Sequence, residues 1–481
     1  MSQRGPGVSL MVLVLSVLAF AQPAIARRLP APGGKITVSL PPELLTSTSD
    51  AHLYVPLVEP SSDDDAAALL AHPPLPGLPE VQSAVLRSVI REDSGAVWRL
   101  LPGQASAASI GESVARCLSK RSEGSWPAAA LTAAGVDVEV IVSGNEVRLK
   151  VSVPFGPMLE LLSGCSLRPS SGAHTGGYTL GSGGTLVWRS GGYGPPPLLG
   201  IVELSSAPQE VAGFAAVASS LSPADLVAFG SESPGSATLL APFPDVIVLL
   251  QSPGSQKSDP LGLFDVAVGT LGFRQRLRAD LLAAAYAQGR GGVADGLLPP
   301  GIAPARPLPQ PVGPERTAPL VLVALPADAP RLIVRRAEGD PLIDGVVERL
   351  AVLLRNRGSL VDVQRRGTGN DGIEVLRWRP PTRDPALALL SLAGMRPELL
   401  QSEAAKKALA DPRLLSALKQ ERVAASLTLE RAWLDAGLAV PLLQADRWFT
   451  ADADLRGVRI REDGVPLLHD ATFVAAPGGL R

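Results

Sequence analysis

The side chains of this 481-residue sequence best suited to chemistry are four histidines, two cysteines and a scatter of serines and carboxylates. Their spacing decides which chemistry is open. His52, His72, His174 and His469 stand far apart, none at the short intervals by which ligands usually share a metal ion, so no metal site is expected. Ser163-Gly164-Cys165 and the other serines form no Gly-x-Ser-x-Gly elbow. No nucleophile, base and orienting group can be assembled around the scattered histidines, so the chain does not read as an enzyme. The glycine-rich stretch 181–194 lacks the Lys-Ser/Thr ending of a phosphate cradle. Gly289-x-Gly291-Gly292 follows a predicted helix rather than a strand, which excludes a dinucleotide fingerprint and leaves no cofactor expected. Asp63-Asp64-Asp65 reads as a solvated acidic loop. Cys117 and Cys165 form an even pair, open to one disulfide in an oxidising compartment or to two buried thiols.

The N-terminus bears on that compartment. Arg4 precedes an apolar run from Val8 to Ala19, and Ala19-Phe20-Ala21 and Ala24-Ile25-Ala26 offer small residues at alternate positions. A charged start, a short apolar stretch and an Ala-x-Ala site make a secretory signal, here residues 1–26. The run falls short of the ~20 residues of a membrane span. Periplasmic or extracellular localisation is the expectation. Hydrophobic residues at 46% allow a sizeable core, and 48 Gly with 46 Pro imply many loops. A net charge of −2 gives no case for nucleic acid or anionic lipid as a partner.

The elements that must position any site alternate between strand and helix. Strands are predicted at 35–40, 136–142, 146–153, 178–180, 185–188, 199–204, 226–229, 245–250, 320–325, 360–363, 372–378 and 440–444. Helices are predicted at 105–120, 155–162, 211–221, 273–288, 342–355, 385–393, 403–409 and 412–436. The order 320–325, 342–355, 360–363 is strand, helix, strand, a βαβ unit and hence α/β architecture.

In this order the pieces resemble the extracellular solute-binding proteins of family 5, the peptide/nickel-type substrate-binding proteins of ABC transporters, over nearly the whole mature chain. Gly33-Gly34-Lys35-Ile36-Thr37-Val38 is similar to the family's opening strand, and Thr175-Gly176-Gly177-Tyr178 to its Gly-Thr-Gly-Pro-Tyr turn. Leu277-Arg278-Ala279 with Pro299-Pro300-Gly301 resembles its Val-Arg-x-Ala-Leu helix and Pro-Pro-Gly loop. Ala439-Val440-Pro441-Leu442, Trp448 and Leu455-Arg456-Gly457 resemble its final return. The resemblance implies a two-lobed periplasmic binding protein-like α/β fold of type II, large peptide-binding subclass. Residues 27–248 would form the N-terminal part of lobe I, 249–441 lobe II, and 442–481 the return to lobe I. It also implies an exported monomer that captures a peptide or other small polar solute by hinge closure and presents it to an ABC permease, without catalysis. The alternative is a diverged binding fold acting as an envelope sensor or accessory protein.

The family carries Trp-x-x-Asp-x-x-Asp-Pro on a ligand loop, whose first Asp holds a peptide's ammonium. Here the loop reads Trp378-Arg379-Pro380-Pro381-Thr382-Arg383-Asp384-Pro385, with Pro381 at that Asp position. The resemblance makes Trp378, Arg379 and Arg383 the ligand-binding candidates. The arginines suit a carboxylate or phosphate through bidentate bonds, or else face solvent. Trp378 is open to a cavity wall or to the core at a strand end. Asp384 before Pro385 reads as a helix cap. Arg447 and Trp448 lie near the cleft or pack within a lobe.

Overall fold

The computed structural model describes residues 35–40, 42–58, 83–92, 96–119, 125–193, 196–205, 216–220, 237–240, 242–251, 292–294, 296–303, 332–336, 341–355, 360–365, 372–446, 448–451, 455–461 and 463–473. The expected leader, the Asp63 run, His72, Arg447, the strands at 226–229 and 320–325 and the helix at 273–288 lie outside them. Among the described residues no helix is long and apolar enough to cross a membrane.

The first half runs β1 (Lys35–Ser39), α1 (Pro42–Leu53), β2 (Leu86–Arg91), β3 (Val97–Pro102), α2 (Ala107–Leu118), α3 (Trp126–Ala133), β4 (Glu139–Ser143), β5 (Glu146–Lys150) and α4 (Phe155–Ser163). It continues with β6 (Tyr178–Leu180), β7 (Thr185–Trp188), β8 (Ile201–Ser205), β9 (Ala216–Ser220), β10 (Ala237–Leu240) and β11 (Asp245–Gln251). The second half adds β12 (Gly292–Val293), β13 (Leu332–Arg336), α5 (Pro341–Arg355), β14 (Val361–Arg365), β15 (Ile373–Trp378), α6 (Pro385–Met395), α7 (Glu403–Leu409), α8 (Lys419–Asp435), β16 (Ala439–Ala445) and β17 (Trp448–Ala451).

Three sheets organise these strands. A seven-stranded sheet has the order β10-β17-β9-β1-β8-β7-β6, a four-stranded antiparallel sheet β2-β3-β5-β4, and a six-stranded mixed sheet β12-β16-β11-β15-β13-β14. β17 pairs with β9 and β10, so the chain re-enters the first half's sheet after β16. β11 and β16 lie antiparallel side by side. β13, α5 and β14 form a βαβ unit with the two strands parallel; its first strand is Leu332–Arg336, not the expected 320–325, which lies outside the described residues.

Several elements follow from local rules. Ser106 caps α2 by accepting from Ser109 N at 3.2 Å. Ile110, Val114 and Leu118 then fall on its buried face. Gly111 lets α2 lie close on β4, where an added Cβ would sit 2.3 Å from Val142 Cγ2. Cys117 near the end of α2 is bonded to Cys165 just past α4, with an S–S distance of 2.04 Å. The helix expected at 211–221 is corrected: 216–220 is strand β9, paired parallel to β1. A short apolar run cannot be told from a buried strand by periodicity, and here the neighbouring strand decides. The single helix expected at 412–436 is also corrected: a 3₁₀ turn, Pro412–Leu415, and α8 are separated by the extended Ser416 and Leu418.

Burial reveals how the parts join. In β11, Val246, Val248 and Leu250 belong to one apolar cluster, and Ile247 and Leu249 to another. This period-two alternation covers both faces of the strand. The second of these clusters is α5 seated on the six-stranded sheet. The first runs from Trp98, Val147 and Leu161 through α3 to α6 and Trp433, so it takes residues from both halves of the chain. A third lies between the seven-stranded sheet, α1 and the tail.

Candidate functional site

β15 ends at Trp378, and the chain turns through 379–384 into α6. Through this loop side chains of both halves meet, Thr382 with Glu160 and Arg379 with Asp245. Trp378 is 3% exposed and lies in the large shared cluster, next to Val246 across the β11–β15 pair. Its side chain is a core residue at a strand end.

Arg379 is tied down. Its Nε donates to Asp245 Oδ1 at 2.8 Å, one Nη to Asp245 Oδ2 at 3.3 Å and the other to the Asp463 carbonyl at 2.8 Å. Arg377 donates to the same Asp245 carboxylate at 2.5 Å. Asp245 is 1% exposed and opens β11, so the knot joins β11, β15 and the C-terminal tail. Burial pushes the Asp245 carboxyl up, but the Arg379 and Arg377 guanidiniums outweigh it and bring it below its ordinary value. Burial likewise opposes the charge on Asp463, and Arg461 leads the attractions that nonetheless lower it. Neither of the chain's expectations for Arg379, a free anion receptor or a solvent-facing side chain, describes this arrangement.

Arg383 lies over the Phe243 ring, 5.7 Å from its centroid. Asp384 caps α6, accepting from Ala386 N and Leu387 N, both at 3.0 Å, with Pro385 in the first turn. Its other oxygen receives Arg422 Nε at 2.6 Å. Arg422, 4% exposed, also donates to the carbonyls of Ser416 and Ala417 at 2.7 and 3.0 Å. Thr382 donates to Glu160 of α4 and accepts from Asp384 N at 3.2 Å. A polar chain thus runs from α4 through the loop into α6 and α8. Burial pushes the Glu160 carboxyl up, Thr382 opposes that, and Asp384 adds to it.

Sequence reasoning missed Glu160, Asp245, Thr382 and Arg422. Arg422 had a signal: with Ser426 and Glu430 it makes an i, i+4, i+8 stripe, and all three are buried. Glu160 is the one charged residue in Phe155–Ser163.

The three described histidines, His52, His174 and His469, have partners within the fold. His52 is fully buried: its Nδ1 lies 2.7 Å from the Thr48 carbonyl, and its Nε2 accepts from Leu468 N at 3.1 Å. Nδ1 therefore carries the proton and donates to that carbonyl. The ring stacks on His469 with centroids 5.2 Å apart. Burial leads the causes that lower its pKa to about 3, and burial lowers that of His469 as well. His174 Nδ1 lies 2.9 Å from the Thr179 hydroxyl. Among the described residues no group of three or more His, Cys, Asp or Glu is placed to hold a metal ion.

No family model and no curated protein matches the sequence. Solved structures do match. NikA from Brucella suis, in complex with Fe(III)-EDTA, is 15% identical, with 92% of this chain and 100% of that chain covered at a TM-score of 0.66. DppA from Helicobacter pylori, in complex with the peptide STSA, is 14% identical, with 92% and 99% covered at 0.65. AppA from Bacillus subtilis, in complex with a nonapeptide, is 12% identical, with 93% and 100% covered at 0.60. The chain shares their α/β periplasmic-binding-protein fold over nearly its full length.

Proposed function

We propose that the chain is an exported member of solute-binding protein family 5, holding a polar organic solute and delivering it to an ABC permease. The observation that carries this reading is the whole-chain likeness to structures solved with bound peptide or metal chelate. Two adjacent strands, β11 and β16, join the six-stranded sheet to β10 and β17 of the seven-stranded sheet, an arrangement suited to hinge closure around a guest. The Cys117–Cys165 bond fits an oxidising compartment outside the cytoplasm. The same neighbours are binding proteins, so the role proposed is capture, not catalysis.

A second reading, an envelope sensor or accessory protein on the same fold, is favoured by one observation: Arg379, a side chain expected at the ligand, is bound into the Asp245 knot. Mass spectrometry of whatever small molecule co-purifies, followed by thermal shift with that molecule, tests the capture reading. A bound solute that raises the melting temperature supports it. A chain that purifies empty, and that no member of a peptide, chelate and amine library stabilises, overturns it. Stimulation of a permease ATPase by the loaded chain then separates transport from sensing.

A further inference from the structure

Glu160 is a carboxylate set into an apolar helix, Phe-Gly-Pro-Met-Leu-Glu-Leu-Leu-Ser. Its Oε1 accepts the Thr382 hydroxyl, from a loop more than two hundred residues away in the chain, at a separation of 222. Among the described residues, no donor and no cation within ion-pair distance meets Oε2, and that oxygen is not sealed into the interior. The charges facing it are Asp384, Arg383 and Arg422. Arg422 and Asp384 satisfy each other at 2.6 Å, and Arg383 lies over Phe243. A half-buried carboxylate with one neutral donor on Oε1 and an accessible Oε2 leaves that second oxygen open to a charged N–H donor, its natural complement. A metal ion would need further ligands, which the described residues do not gather.

We propose that the accessible oxygen of Glu160 anchors a protonated amine on the solute, held between α4 and the 379–384 loop, with Thr382 fixing the carboxylate's orientation. This inference rests on the solute-binding reading and names the ligand's charged group. Glu160 comes from the first half and Thr382 from the second, so an amine bound there touches both.

The test uses the full mature chain and Glu160→Gln, which keeps the shape and a carbonyl oxygen for Thr382. Both are titrated, by thermal shift and calorimetry, with dipeptides, their N-acetylated counterparts, simple alkylammonium and polyamine salts, and Ni²⁺ alone. Free-amine ligands are expected to bind the wild type, and both acetylation and Glu160→Gln to weaken binding by about 10- to 100-fold, the worth of one charge-assisted bond. The unliganded variant is expected to melt no lower than the wild type, since burial already disfavours the charge it removes. Alkylammonium or polyamine binding without peptide binding leaves the amine site standing and removes peptides from the solute class. The inference is overturned if acetylated and free peptides bind alike, if Glu160→Gln binds as tightly as wild type, or if Ni²⁺ alone is the Glu160-dependent ligand. Binding of amine-free solutes only would overturn it while leaving the capture function intact.

Discussion

The polar side chains around the 379–384 loop are engaged in pairs, and removing one member of a buried pair costs more than the pair contributes. Asp384 and Arg422 are 8% and 4% exposed and 2.6 Å apart. Arg422→Leu strands a buried carboxylate, and Asp384→Ala strands a buried guanidinium and uncaps α6. Each is expected to lower unfolding free energy by about 3–5 kcal/mol, with the double variant much less than additive. Urea titrations of the three variants check this, and additive losses would mean the two charges act independently. His52 makes a second residue-scale prediction. Its folded pKa of about 3 lies below the unfolded 6.5, so its contribution is full above pH 6.5 and is lost as pH falls toward 3. Between pH 6.5 and 5, before most carboxylates titrate, stability should drop by about 2 kcal/mol, at ~1.4 kcal/mol per unit. Denaturant midpoints across that window measure the drop, and His52→Gln should remove most of the slope. A wild-type curve flat from pH 7.5 to 5 would contradict it. Little of this was legible beforehand. The Asp384-Pro385 cap was, because capping is a local rule. Arg379 was not, because its partners Asp245 and Asp463 are 134 and 84 residues away.

Elements built from local periodicity match the structure closely, and those decided by neighbours do not. The amphipathic stripe of Ile343, Val346, Val347 and Leu350 anticipated α5, and Ser143-Gly144-Asn145 anticipated the β4–β5 hairpin. β9 was misread as helix because its identity is set by pairing to β1. α3 carried no signal, since Trp-Pro-Ala-Ala-Ala-Leu-Thr-Ala has no polar face. Its small side chains matter for packing instead. α6 is buried on all sides, and an added Cβ at Gly394 would sit 2.0 Å from the Ala129 carbonyl oxygen. Gly394→Ala therefore cannot deliver its usual helix-propensity gain. It should force α6 and α3 apart and cost about 1–3 kcal/mol, the typical penalty of overpacking. A melting temperature equal to or above wild type would show that the helices slide without cost. The disulfide acts on the same region from within the shared core, where Cys165 is fully buried. It closes a loop of 48 residues between α2 and the end of α4, so replacing both cysteines by serine should cost about 4 kcal/mol by the loop-closure relation. Chemical denaturation with and without reductant measures this directly.

At the scale of the molecule, the division of the core differs from the division of the chain. The cluster that holds Trp98 of the four-stranded sheet also holds Trp433 of α8, and α3 against α6 is the contact that joins them. The seven-stranded sheet with α1 and the tail has an apolar cluster of its own, containing Tyr178 and Phe449. Among the described residues its links to the rest include the backbone pairing of 53–57 with 165–175, the Arg168–Asp50 ion pair, the packing of Val55 and Tyr193, the strands leaving β10 and β16, and the Arg379–Asp245–Asp463 knot. A continuous apolar core unfolds as one unit, because exposing either side exposes both. Single-tryptophan variants retaining Trp98 or Trp433 should therefore report the same denaturant midpoint, although these residues stand in opposite halves of the sequence. Any motion around a solute would then be expected between the seven-stranded sheet and the remainder, where polar contacts with several partners can re-form after a small rotation more readily than a packed apolar interface. Asp245→Asn weakens that link without touching the shared cluster. It should lower protection from hydrogen exchange at the β11–β15 end and the tail, and leave the coincident Trp98 and Trp433 midpoints coincident. Separate midpoints for the two tryptophans in the wild type would mean that α3 and α6 merely touch, and that the boundary between moving parts runs between the halves of the chain instead.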